Sequence, residues 1–309
     1  MQKITPFLWF DRNAEEAMNF YVSTFKNAKV TDIKRYPSGI TEGPMAGFDG
    51  KVLTGVFEIE GYRFMCLDGG PIFKTNPSVS FFANFDPSRN KNAAADLDEL
   101  WGKLSEGGKV LMPLQEYPFS KRYGWIEDKF GVSWQLILTD PEGKERPFIV
   151  PSQLFVGDVC GRAAEALKYY ASVFKNSKVG TIAPYPSGME PDKEGTTMFG
   201  EVQLEGQWFT AMDSARMHGF KFSEGTSYLI ECKDQAEIDY FWDEFTKSGG
   251  EESQCGWCKD KFGFSWQVNP DLSKWLASPD TEASNRATQA MLGMKKIIIA
   301  DLEKAFEGK

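Results

Sequence analysis

The stretch Gly124-Trp125-Ile126-Glu127-Asp128-Lys129-Phe130-Gly131-Val132-Ser133-Trp134-Gln135 returns as Gly256-Trp257-Cys258-Lys259-Asp260-Lys261-Phe262-Gly263-Phe264-Ser265-Trp266-Gln267, with nine of 12 positions identical at a shift of 132. An agreement of that length marks an internal duplication, and a duplication changes what every other motif means. Working outward, the run from Ala14 to Asn27 reappears from Ala163 to Asn176 at a shift of 149, and Tyr36-Pro37-Ser38-Gly39 reappears as Tyr185-Pro186-Ser187-Gly188. The shift shrinks toward the C-terminus, so the second copy is the shorter. The loss falls around Glu116 to Tyr123, which reads as a loop that the second copy lacks.

Within each copy the local signals alternate in a fixed order. Ile4 to Phe10 reads as a strand, and Ala14, Ala17, Met18, Tyr21, Val22 and Phe25 recur at helical spacing. Val30 to Tyr36 is a strand, and Val52 to Glu60 with Tyr62 to Leu67 form a hairpin around Glu60-Gly61, mirrored by Glu205-Gly206. The same order then repeats. Ser78 to Phe85 is a strand, and Ala93 to Ser105 is a helix with Leu97, Leu100, Trp101 and Leu104 on one side, stopped by Gly107-Gly108. Val110 to Leu114, Arg122 to Glu127 and Val132 to Leu138 follow as strands. Each copy is therefore a pair of βαβββ units, an α+β architecture. Residues 1–140 form a first module, the proline-rich segment 141–151 a linker, 152–270 a second module, and 271–309 a helical tail. In that tail Thr288 to Phe306 is expected to be one amphipathic helix, with Met291, Met294, Ile298 and Leu302 on one side.

Composition narrows the function classes. The chain has 309 residues and 41% hydrophobic content, enough for two packed domains, and 35 basic against 44 acidic residues give a net charge of −9. Nucleic acids and anionic membrane surfaces recruit clustered Lys and Arg, so neither is an expected partner. No stretch approaches the roughly 18 to 20 apolar residues of a membrane span, and the N-terminal residues build no signal-peptide core. Five cysteines are an odd number and too few for a disulfide scaffold, so a reducing cytoplasm is the expected location.

Paired βαβββ units ending in Gly-Trp-x-x-Asp-Lys-Phe-Gly-x-Ser-Trp-Gln resemble the vicinal oxygen chelate superfamily of glyoxalase, bleomycin-resistance and extradiol dioxygenase folds. Within it the chain resembles the PhnB-like branch, often labelled 3-demethylubiquinone-9 3-methyltransferase, over residues 1–140 and about 150–270. The tail from Thr288 to Lys296 is similar to that branch as well. The resemblance implies two curved sheets, one per copy, each enclosing a concave pocket. Metal-dependent members place His, Gln or Glu on the first, fourth, fifth and eighth strands. Carried onto this chain, those positions are Ile4 or Pro6, Met65 or Cys66, Ser78 or Ser80, and Gln135. In the second copy they are Gln153 or Phe155, Thr210, Ala211 or Met212, Ser227 or its neighbour, and Gln267.

Divalent metals need three or four strong donors, and a single histidine, His218, cannot furnish a two-His site. No metal is expected. An S-adenosylmethionine site usually carries a Gly-rich turn between strand and helix, and no Gly-x-Gly occurs at such a junction. No cofactor is assigned, and whether the chain is an enzyme stays open. Cys255-Gly256-Trp257-Cys258 reads as two unrelated strand cysteines, and Asp68, Asp213, Asp128 and Asp260 as turn carboxylates. The resemblance puts Gln135 on the pocket side of the last strand beside Ser133 and Ser80, with Gln267, Ser265 and Ser227 repeating the set. The expectation is a metal-independent binding protein for an apolar or aromatic small molecule, oriented by these Gln and Ser side chains. An enzyme of the PhnB-like family and an interaction protein are the alternatives. A homodimer through the outer sheet faces or the C-terminal helix is a further option the sequence leaves open.

Overall fold

The computed structural model describes residues 2–36, 46–276 and 278–309; Pro37, Ser38 and Gly39 of the first Tyr-Pro-Ser-Gly repeat lie outside them. The first βαβββ unit comprises β1 (Ile4–Phe10), α1 (Ala14–Thr24), β2 (Ala28–Arg35), β3 (Val52–Ile59) and β4 (Tyr62–Asp68). The second comprises β5 (Val79–Phe85), α2 (Ala93–Ser105), β6 (Lys109–Tyr117), β7 (Ser120–Glu127) and β8 (Ser133–Leu138). The third holds β9 (Ile149–Phe155), α3 (Ala163–Val173), β10 (Lys178–Pro184), β11 (Thr197–Leu204) and β12 (Gln207–Asp213). The fourth holds β13 (Thr226–Cys232), α4 (Gln235–Lys247), β14 (Glu251–Glu252), β15 (Trp257–Lys259) and β16 (Ser265–Pro270). Three tail helices follow, α5 (Ser273–Leu276), α6 (Thr281–Gly293) and α7 (Ile299–Glu307).

Two eight-stranded mixed sheets result, with orders β10-β11-β12-β9-β5-β8-β7-β6 and β14-β15-β16-β13-β1-β4-β3-β2. Each sheet is built from two βαβββ units, but the units come from different copies, which corrects the expectation of one sheet per copy. The cause is the short link between β8 and β9. Thr139 N–H donates to Phe85 O at 2.9 Å, Asn84 N–H to Phe148 O at 2.8 Å and the Asn84 amide to Pro147 O at 2.8 Å. These bonds turn the chain straight back, so β9 pairs antiparallel with β5. That strand begins at Ile149, inside the expected linker. By contact density the chain divides into two compact units, Leu8–Thr226, which contains the whole of the β10-to-β6 sheet, and Met1–Phe7 with Ser227–Lys309.

The repeated sequence signals have repeated physical jobs. Glu60 and Gly61, with φ of 51° and 77°, close the β3–β4 hairpin, and Glu205 and Gly206, at 46° and 81°, close β11–β12. Buried Asp68 accepts from the backbone N–H of Ala14 at 2.8 Å and of Val52 at 2.9 Å. Asp213 does the same for Gly161, Ala163 and Thr197. The carboxylates at the ends of β4 and β12 thus satisfy orphan donors at the starts of α1 and α3 and tie each helix to its sheet.

Two expectations need correction. Glu116 to Tyr123 is the tip of the β6–β7 hairpin, where Tyr117 pairs with Ser120, and is not a loop. In the tail, the expected continuous helix is broken between Gly293 and Ile299 because its backbone is recruited elsewhere. The N–H groups of Cys255 and Gly256 donate to Met294 O and Lys295 O at 2.8 and 2.7 Å. The Gln235 amide then clamps the break, donating to Ile297 O at 3.1 Å and accepting from Ile299 N–H at 2.8 Å. Ile297 and Leu302 are fully buried, whereas Met294 is only half-buried.

Candidate functional site

The duplicated 12-residue motif is a hairpin wired by its own polar side chains. Asp128 accepts from the backbone N–H of Phe130 at 2.8 Å and of Val132 at 3.1 Å, and its second oxygen accepts from Trp134 Nε1 at 2.9 Å. In the second copy Asp260 accepts from Phe262, Phe264 and Trp266 Nε1 at 2.8, 3.1 and 2.8 Å. Burial is the largest influence on Asp128 and pushes its carboxyl up to about 6, against the pull of these donors. Gly124 lies flat against the Trp101 indole, where a Cβ would come within 2.4 Å of the ring. Asp, Trp and Gly of the motif therefore build the fold; Trp125, Ser133 and Gln135 face the other way.

That other face is the interior of the β10-to-β6 sheet. Phe82 on β5 and Phe199 on β11 stand three strands apart, about 14 Å in a flat sheet. Their ring centroids lie 6.4 Å apart, so the sheet curls into a concave face on which side chains from opposite sides meet. Its wall is aromatic and aliphatic: buried Phe82, Tyr123 and Val150, with half-buried Met112, Tyr117, Trp125, Ile137, Phe199, Trp208 and Met212 packed on them. Phe119, exposed at the hairpin tip, stacks on Tyr117 at 5.6 Å and meets Tyr123 edge-on at 5.0 Å.

Across the floor runs one row of hydroxyls. Register places Thr210 beside Ser152, Ser152 beside Ser80, and Ser80 beside Ser133, on the four central strands β12, β9, β5 and β8. Gln135 sits one step above the row and is held at both ends of its amide. Its Oε1 accepts from the Tyr123 hydroxyl at 2.6 Å, and its Nε2 donates to Ser80 Oγ at 2.8 Å. Ser133 Oγ accepts from Trp125 Nε1 at 2.7 Å. Ser152, 1% exposed, has no partner for its hydroxyl. At the edge of the cleft Glu201 takes Arg146 in a fork of 2.7 and 2.9 Å, and the guanidinium stacks 4.1 Å above Trp208.

The structure brings Gln135, Ser133 and Ser80 together as expected from the sequence. Ser152 and Thr210 complete the row. Thr210 is one of the three alternatives at the fourth-strand position, but the first-strand position is misread as Gln153 or Phe155, which alternate with Ser152 and lie on the opposite face. The shared proline would have signalled this, since Pro6 and Pro151 align and put Ser152 opposite Phe7. In the fourth unit Gln267 Nε2 donates to Ser227 Oγ at 3.0 Å, and Ser265 pairs in register with Lys259. There Cys255 stands where Tyr123 stands, and by sequence Met65 and Phe7 replace Thr210 and Ser152. Phe7 meets Trp257 edge-on at 6.2 Å.

The remaining candidates have structural explanations. Cys255 is not in the strand as expected: it occupies the turn before β15 with φ of 57°, while Cys258 is buried within it. Burial raises both thiols, Cys258 further helped by Asp260, so neither has the helix-terminus activation of a redox pair. His218 shares a 2.8 Å hydrogen bond between Nε2 and Ser214 Oγ in the β12–β13 connection, and burial lowers its pKa. A surface pocket of about 560 Å³ lies between the end of α1 and the start of α2. Its Lys26 and Lys103 are bound to Asp96 and Glu99.

The donor chemistry of the row does not fit a divalent metal. The four positions hold Ser152, Thr210, Ser80 and Gln135, three neutral hydroxyls and an amide, and the described residues contain no cluster of three His, Cys, Asp or Glu side chains. An S-adenosylmethionine site of the doubly wound kind does not fit either. The starts of α1 and α3, the two helices that follow first strands, are already filled by Asp68 and Asp213, and both sheets are mixed.

Two curled mixed sheets of paired βαβββ units define the vicinal oxygen chelate fold. A family model described as 3-demethylubiquinone-9 3-methyltransferase matches residues 2–137 and 148–269, and the chain belongs to that family, the PhnB-like branch of the fold. A putative 3-demethylubiquinone-9 3-methyltransferase, PhnB protein, from Bacillus cereus is 41% identical over 45% of this chain and 100% of its own, with a TM-score of 0.39. Protein PA1353 from Pseudomonas aeruginosa is 23% identical over 45% of this chain and 98% of its own, with a TM-score of 0.38. Glyoxalase I from Zea mays, 11% identical, covers 85% of this chain and 92% of its own with a TM-score of 0.51, a likeness of fold alone. No curated protein matches the chain.

Proposed function

We propose that the cleft of the β10-to-β6 sheet binds a small aromatic or apolar molecule without a metal, stacked on Trp125, Phe199 and Trp208 and oriented by Gln135 and the hydroxyl row. The observation that carries this reading is Ser152, whose hydroxyl is buried, unpartnered and set in the row between Ser80 and Thr210. An unmet hydrogen bond in a protein interior costs about 1 to 3 kcal/mol, and a ligand atom is the natural partner for one at the foot of an aromatic wall. Gln267, Ser265 and Ser227 make a lesser, second set, because the positions equivalent to Ser152 and Thr210 are apolar there. The five cysteines are free thiols, consistent with work in a reducing cytoplasm.

Thermal-shift screening against aromatic compounds tests the proposal. A hit should be weakened by Gln135→Ala and little affected by Gln267→Ala. Unchanged affinity in both variants would remove the site assignment. Sedimentation of the purified chain separately tests the homodimer option.

A further inference from the structure

Resting on that reading, we infer that the cleft selects an uncharged aromatic molecule whose polar edge is a hydrogen-bond acceptor, a carbonyl oxygen above all. Two of the four floor hydroxyls are already used as acceptors. Ser80 Oγ receives Gln135 Nε2, and Ser133 Oγ receives Trp125 Nε1. Neither hydroxyl donates to a protein acceptor among the described residues, so both point a free O–H toward the cleft. Ser152 adds a third donor, and one hydrogen of the Gln135 amide is uncommitted. Thr210 spends its own proton on Pro151 O at 3.4 Å. The row thus offers several donors to one ligand atom, and a carbonyl oxygen with two lone pairs accepts two of them at once.

Charge narrows the class further. The central strands β12, β9, β5 and β8 carry no Lys or Arg. The cation at the cleft edge, Arg146, is neutralised by the Glu201 fork. A carboxylate or phosphate would be desolvated against hydroxyls with no counter-charge, which is strongly unfavourable. An anionic ligand is therefore selected against by the same floor that favours a neutral acceptor.

Isothermal titration of the full chain with three probes of one shape tests this: acetonaphthone, ethylnaphthalene and naphthoate. The ketone should bind about tenfold more tightly than either of the others, about the worth of one good hydrogen bond. Ser152→Ala, which deletes a hydroxyl the folded protein leaves unpaired, should raise the melting temperature of the free protein and reduce ketone affinity about fivefold, leaving ethylnaphthalene unchanged. Equal binding of ketone and hydrocarbon, or tighter binding of naphthoate, would overturn the acceptor inference while leaving an aromatic site in place. If none of the three binds, the proposed site itself fails.

Discussion

Asp128→Ala is the perturbation whose consequence the structure fixes most closely. The substitution leaves three donors, the part-buried N–H of Phe130 and the buried N–H of Val132 and Trp134 indole, without an acceptor. At about 1 kcal/mol net for each, the loss at neutral pH is roughly 3 kcal/mol. The pH dependence has a definite sign. Burial raises the folded-state pKa to about 6, above the unfolded value of about 3.9. The carboxyl therefore contributes most to stability below pH 4, and that contribution is lost as pH rises from 4 to 6. Relative to alanine, Asp128 should be worth about 2 kcal/mol more at pH 4.5 than at pH 7, from the difference between those two pKa values. Urea denaturation of both proteins at the two pH values, followed by tryptophan fluorescence, measures each quantity. A cost below 1 kcal/mol at pH 7 would refute the wiring of the hairpin. A cost that shrinks toward pH 4.5 would refute the buried-acid reading, since that is the sign for a carboxylate stabilised in its charged form.

Two further outcomes follow from named contacts. Arg146→Met should destabilise the chain by about 3 to 5 kcal/mol, because it strands Glu201 as a buried charge, and Arg146→Met with Glu201→Leu should recover most of the loss in the same urea titration. Gln235→Leu removes both ends of the amide clamp across the tail break. It should increase hydrogen exchange and limited proteolysis around residues 294–299 with little change in the exchange of β5, β8 and β9.

Much of the fold is legible locally. Alternation and helical spacing locate β1, α1, the Glu60-Gly61 hairpin and α2, because each of those signals is carried by residues adjacent in the chain. Pairing is carried by nothing so local. Whether β5 lies beside β1 or beside β9 depends on the Phe85, Asn84 and Phe148 bonds that turn the link back, and no periodicity records them. The tail shows the same limit: Met291, Met294, Ile298 and Leu302 keep helical spacing, yet remote donors on Cys255, Gly256 and Gln235 claim the intervening backbone. At the site, strand parity suffices for Gln135 and Ser133. It fails at β9, where Val150, Ser152 and Leu154 alternate with Pro151, Gln153 and Phe155, and neither set is clearly the wetter.

The cross-copy pairing nests the chain like brackets: the second and third units close on each other, and the first and last close around them in sequence order. The inner pair needs no more than residues 79–213 to complete its sheet. Strand β1, which precedes β13 in the chain, has its β13 edge unpaired until the chain reaches β13 at Thr226. A nascent or truncated chain therefore carries an open, apolar strand edge for most of its synthesis, the kind of surface that chaperones and neighbouring chains capture. Duplication in this order thus trades early local closure for a late joining of the two ends.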